Sequence, residues 1–146
     1  MTTDSGLRQA QATYTGPVPT PGLDDQEFWE GCRRHEFRLL RCKQCREIRL
    51  FGSPMCSKCT SLEAESFVGS GRGKVWSWTT TYHPFHPRWK DRVPYNLTVV
   101  KLDEGPRFTT MVVECKPDEM RVDMLVEVAW EDATEEVSLP KFRPAR

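Results

Sequence analysis

A chain of 146 residues holds one compact domain, or one small domain with an appendage, but not two full cores. Its 21 basic and 21 acidic residues cancel, which argues against a protein that grips phosphate backbones by bulk charge. No apolar run is long enough for a transmembrane helix, and the N-terminus lacks the pattern of a signal peptide. A cytoplasmic, reducing setting is therefore expected, in which the six cysteines need a role other than disulfides.

Residues 1–23 read as a flexible leader, because Gly16-Pro17-Val18-Pro19-Thr20-Pro21-Gly22 blocks both helix and sheet. A short helix follows within 24–36. Asp24 or Asp25 serves as N-cap, Glu27 suits the first turn, and Phe28, Trp29 and Cys32 form an apolar stripe. Such a helix is not stable alone, so Phe28 and Trp29 must pack on something. Residues 37–68 carry four cysteines between strand-like pieces, Phe37 to Arg41 and Ile48 to Phe51, and little that builds an apolar core. From residue 69 onward strand patterns dominate: Lys74 to His83, Tyr95 to Leu102, Arg107 to Cys115, Met124 to Trp130 and Glu135 to Leu139. Asp103-Glu104-Gly105-Pro106 reads as a tight hairpin, and Pro117 to Met120 as one helical turn. Five short strands suggest a closed or nearly closed barrel, since closure removes exposed edges.

Cys42-x-x-Cys45 and Cys56-x-x-Cys59 are two C-x-x-C pairs ten residues apart. Each pair forms a tight turn that points both sulfurs at one ion, and two turns complete a tetrahedron. One structural zinc is the leading expectation, over iron or two redox dithiols. Four protein ligands close the site and leave no position for water or substrate. Arg41, Lys43, Arg46 and Lys58 stand beside the cysteines and offset the charge of a tetrathiolate. Cys32 with His35 lacks two further ligands, and Cys115 reads as a small buried residue.

Taken together, these segments resemble a known family. They are Phe28-Trp29-Glu30, Leu40-Arg41-Cys42-Lys43-Gln44-Cys45 with the second C-x-x-C, and Ser70-Gly71-Arg72-Gly73-Lys74-Val75. Val93-Pro94-Tyr95, Leu102-Asp103-Glu104-Gly105 and the ending Leu139-Pro140-Lys141-Phe142-Arg143-Pro144-Ala145 complete the set. Over about residues 27–145 the chain resembles the rubredoxin-like zinc-ribbon plus OB-fold proteins associated with acyl-CoA enzymes, long catalogued as a domain of unknown function. The resemblance implies a mainly β protein: a short N-terminal helix, a rubredoxin-like zinc ribbon over 37–68, and a five-stranded OB-fold barrel with a C-terminal tail over 69–146. It also implies a partner such as a thiolase, a thiolase-like aldolase or a hydratase, which carries the catalysis while the small subunit stabilises it and helps shape its acyl-CoA channel. One departure concerns Arg46 and Thr60, which stand where the family often has Gly after the second Cys of each pair.

No residue is read as catalytic. Gly69-Ser70-Gly71-Arg72-Gly73 precedes a strand rather than a helix, so it reads as a joint between ribbon and barrel rather than a phosphate cradle. The segment His83 to Pro94 joins the first two barrel strands. Its Phe85, His86, Arg88 and Trp89 are candidate contacts to a partner or an acyl-CoA, together with Arg72, Lys74, Phe142 and Arg143. Trp76, Trp78, Thr80 and Tyr82 are expected on one strand face, filling the barrel or an interface. The alternative function is a single-stranded nucleic-acid module stacking bases there. Residues 102–139 oppose it, with Arg107, Lys116 and Arg121 against eleven acids. Residues 31–50 are basic in turn and suit an acidic partner or CoA phosphates.

Overall fold

A computed structural model describes residues 14–146; of the leader expected over 1–23, residues 1–13 lie outside the described part. Helix α1 spans Gln26–Arg33. A three-stranded antiparallel sheet follows, built of β1 (Arg38–Cys42), β2 (Ile48–Arg49) and β3 (Ala64–Val68) in the order β2-β1-β3. The remainder is a five-stranded antiparallel sheet of β4 (Arg72–Thr81), β5 (Tyr95–Leu102), β6 (Arg107–Thr110), β7 (Leu125–Asp132) and β8 (Ser138–Pro144), in the order β6-β5-β4-β7-β8. Short 3-10 segments occupy Pro87–Arg92 and Pro117–Glu119.

The two edges of the larger sheet meet. Val112 bridges Phe142 in parallel, the Val113 N–H donates to the Phe142 carbonyl at 2.7 Å, and the Phe142 N–H donates to Met111 at 3.0 Å. Thr110 Oγ1 donates to the Pro140 carbonyl at 2.9 Å. These bonds curl the sheet toward an OB-type barrel and cover backbone that a flat sheet would leave open. They also move the last strand. The expected strand from Glu135 to Leu139 begins at Ser138 instead and runs on through residues expected in a tail. Thr134 Oγ1 accepts the N–H groups of Glu136 and Val137, so those residues form the turn between β7 and β8.

Asp25 is the N-cap residue of α1, but its carboxylate caps no backbone N–H of the helix. It accepts the Gly22 N–H at 2.7 Å and the Trp29 indole N–H at 3.1 Å. Phe28, Gly31 and Cys32 face inward. The Phe28 ring lies 6.0 Å from Phe37, 6.0 Å from Phe51 and 6.3 Å from Phe108. The helix, the ribbon and the barrel therefore share one apolar cluster, which extends to Leu39, Val75, Val100, Val126 and Phe142. This answers the question of what supports so short a helix.

Gly71 connects ribbon to barrel with φ +68, and a Cβ there would stand 2.7 Å from Val128 Cγ1. Gly73 is covered by β5, where a Cβ would fall 2.4 Å from the Lys101 carbonyl oxygen. The glycine-rich stretch is thus a close-packed junction, fixed by Gly69 N–H to the Phe37 carbonyl and Val128 N–H to the Gly71 carbonyl. It forms no cradle.

Candidate metal centre and partner surface

Two turns with the same hydrogen bonds present the four cysteines. In the first, the Arg46 N–H donates to the Cys42 carbonyl and the Cys42 N–H to the Glu47 carbonyl; in the second, Thr60 donates to Cys56 and Cys56 to Ser61. Arg46 and Thr60 adopt φ of 66° and 64°. The left-handed geometry that favours glycine is therefore kept, although side chains are present. The turn fixes the backbone and the residue complies.

The sulfurs of Cys42 and Cys59 stand 3.5 Å apart, as do those of Cys45 and Cys56, and all four lie within 4.8 Å of one another. A zinc tetrathiolate with bonds of about 2.3 Å has edges of about 3.8 Å, so the cluster has the right size and shape for one ion. N–H groups aim at the sulfurs. Those of Cys45 and Gln44 hold the Cys42 thiol down at about 6, and those of Cys59 and Lys58 lower that of Cys56. Such donors favour the ligating thiolate and fix its direction. Cys42 and Cys56 are buried, Cys59 is half-buried and Cys45 is exposed.

Around the centre, cations meet carboxylates as well as sulfur. Lys58 Nζ lies 2.7 Å from Glu47, and Arg46 lies 2.9 Å from Glu65, which also approaches Arg41 at 4.0 Å. Arg41 covers the Phe67 ring at 4.2 Å. Glu65 and Phe67 sit on β3, a strand with little apolar alternation whose pairing with β1 supplies what its sequence lacks. Cys32 is wholly buried, away from the quartet, and burial raises its thiol to about 12. His35 turns elsewhere: its ring stacks on Trp130 at 5.2 Å and its Nε2 lies 2.8 Å from Asp132 Oδ1.

The candidate partner contacts separate into groups. Phe142 is corrected: it lies entirely inside the core on β8, where it packs against Phe37 and Phe108, so no partner can reach it. Arg143 is bound to Glu127 at 3.1 Å and approaches Glu114 at 3.8 Å; Arg72 meets the same Glu127 at 3.9 Å. Trp89 is a half-buried anchor of its loop rather than a fully exposed ring. It leans on Tyr95 at 5.0 Å, with the Arg92 guanidinium at 5.5 Å and Lys141 Nζ at 5.9 Å. Arg92 and Lys141 both pair with Glu131, and Tyr14 lies under Arg92 at 5.1 Å, so the leader contributes to this anchor. His86 is exposed, and its Nδ1 accepts the Arg88 N–H at 3.1 Å, which starts the 3-10 turn. Phe85 is 79% exposed, and Arg88 and Lys74 are exposed as well. Tyr82, 73% exposed at the base of the same loop, belongs with Phe85. Its place in the period-two pattern of β4 hid it in the sequence.

The aromatic row expected on β4 is broken. The register with β5 shifts between Val75 and Ser77, and the bulge turns Trp76 outward while Trp78 stays against the core. Two large rings that period-two spacing puts together thus face opposite ways.

A four-cysteine centre on a small ribbon, packed through one helix onto an OB-type barrel, defines the class: a ribbon–OB protein with a closed candidate metal site. The model for the ChsH2 C-terminal OB-fold domain matches residues 69–131. A DUF35 domain-containing scaffold protein of Pyrococcus furiosus is 34% identical over 96 residues, 65% of this chain and 70% of that protein. The chain belongs to the DUF35 family. A probable enoyl-CoA hydratase alpha subunit of Thermomonospora curvata is 34% identical over 129 residues, 87% of this chain but only 40% of that protein. The chain therefore spans less than half the length of that relative. A solved chain titled Ltp2-ChsH2(DUF35) aldolase superposes with a TM-score of 0.78 at 32% identity, covering 88% of this chain and 99% of that one. Among the described residues no helix is long and apolar enough to cross a membrane.

Proposed function

We propose that the chain is an accessory subunit that binds and stabilises a thiolase-like acyl-CoA enzyme, which carries the catalytic residues. The observation that carries this reading is the match to the Ltp2-ChsH2(DUF35) aldolase chain along essentially the whole of that chain. A hydratase alpha subunit among the relatives supports the same acyl-CoA setting. The working units are the helix (24–36), the ribbon (37–68) and the barrel (69–146). Cys42, Cys45, Cys56 and Cys59 hold one zinc, which with four sulfur ligands cross-links the two turns and offers no open coordination position. Keeping those thiols reduced suits the cytoplasm. Phe85 is the partner anchor, with Tyr82, His86 and Arg88 beside it: an exposed ring of this size suits a partner pocket, and the packing of Trp89 on Tyr95 in the same loop lowers the loop-ordering cost of binding.

Native mass spectrometry of the affinity-purified chain from its own host tests the reading. The expected result is a hetero-oligomer with an acyl-CoA enzyme subunit, one zinc per copy of this chain, and weaker association for Phe85→Ala. A chain that purifies without a companion, or that turns over an acyl-CoA thioester by itself, overturns it.

A further inference from the structure

The outer face of the barrel carries three neighbouring cations that meet no carboxylate among the described residues. Lys74 on β4 is the direct register partner of Lys101 on β5, and Lys101 is that of Arg107 on β6. Three like charges therefore stand side by side across three adjacent strands, an arrangement that destabilises a sheet. All three are exposed, and among the described residues no carboxylate lies within 4.0 Å of any of them. Asp103 and Asp123 line the shallow depression of about 270 Å³ beside Lys74 and Lys101 without closing that distance. Elsewhere on the barrel Arg72, Arg92, Lys141, Arg143 and Arg146 each meet a carboxylate, while among the described residues Arg88, Lys90, Lys116 and Arg121 do not; what sets Lys74, Lys101 and Arg107 apart is that they are direct register partners of one another.

Trp76 is a second observation. Two residues along β4 from Lys74 it lies on the same face, 45% exposed, with the Arg107 guanidinium 4.1 Å from its ring and Lys101 Nζ at 5.4 Å. Farther along the same face come Val99, paired with Ser77, and the exposed Leu97, paired with Thr79. Trp and Arg beside apolar residues, with charge left uncompensated, form the anatomy of an interface centre that expects negative charge from outside.

We infer that this face, centred on Lys74, Trp76, Lys101 and Arg107, docks a carboxylate-rich surface of the enzyme subunit that the chain accompanies. The inference rests on the accessory-subunit reading above and adds where the partner sits and what charge it brings. A protein surface fits better than a nucleic acid, because among the described residues this face presents one outward ring, Trp76, and Arg107 already covers it.

Lys101→Glu and the pair Lys101→Glu/Arg107→Glu test the inference in the co-purified complex. In the isolated chain, Lys101→Glu puts a carboxylate between Lys74 and Arg107, so its Tm rises by about 2–4 °C. In the complex, Lys101→Glu itself weakens association at physiological salt, the double variant does so about tenfold or more, and wild-type affinity falls as salt increases. Gaining stability while losing association separates a docking role from a structural one. Wild-type affinity in both variants overturns the inference while leaving the accessory-subunit reading intact. Failure of the wild-type chain to find any companion removes both. Oligo(dT) binding that these two substitutions abolish assigns the face to nucleic acid and overturns the proposal.

Discussion

Replacing Phe28 by alanine tests how the molecule is held together. The ring is 9% exposed and lies within about 6 Å of Phe37 and Phe51 of the ribbon region and Phe108 of the barrel, as well as Trp29 on its own helix. Burying a phenylalanine is worth about 1.5–3 kcal/mol, and each edge-to-face or tilted ring pair adds about 0.5–1.5. The pairs share one ring and are not additive. A loss of about 4 kcal/mol is expected, within the about 3–5 usual for Phe→Ala in a core. For a chain of this size that lowers the Tm by about 12–16 °C. Urea unfolding followed by far-UV circular dichroism measures it, and the transition should stay single, because one ring supports all three units. A loss below about 1.5 kcal/mol, or two separate transitions already present in wild type, refutes the idea of a shared core.

Three further outcomes follow from the same geometry. Chelation, or Cys56→Ser, should strip the metal and release backbone amides of β1 to β3 to hydrogen exchange; protection equal to that of the loaded chain would mean the ribbon stands without its ion. Thr60→Gly should raise stability by about 0.5–1 kcal/mol, since a β-branched residue at φ 64 is strained and the surrounding turn does not change. A lower Tm for this variant would place the strain elsewhere. Glu131→Ala removes the partner of the buried Lys141 and of Arg92, and should cost about 2–3 kcal/mol, most of it recovered when Lys141→Met is added. No recovery would show that Glu131 acts through Arg92 alone.

The OB-type barrel and the ribbon are legible in the chain because both rest on short-range signals. The two C-x-x-C pairs specify their turns locally, and the strands β4 and β5 announce themselves by β-branched and aromatic residues. The weaker elements were settled by pairing. β3 forms because β1 offers it an edge, and β8 runs to Pro144 because its far side meets Val112 and closes the barrel. The same holds for the candidate contacts. Phe142, Trp89, Arg72 and Arg143 look alike in one dimension; the fold buries Phe142, half-buries Trp89 against Tyr95 and Lys141, pairs Arg143 with Glu127, and leaves Arg72 exposed beside the same Glu127.

Local pattern places the four cysteines of the candidate metal centre, the order of helix, ribbon and barrel, and Phe85 on an outer loop. Spacing and residue type are enough for these. Which charges are neutralised follows instead from long-range pairing. Arg143 finds Glu127 because β7 and β8 lie in register, whereas Lys74, Lys101 and Arg107 find each other because β4, β5 and β6 do. Electrostatic energy depends on distances across strands, and cross-strand register is fixed by turns, bulges and barrel closure acting together rather than by any one segment.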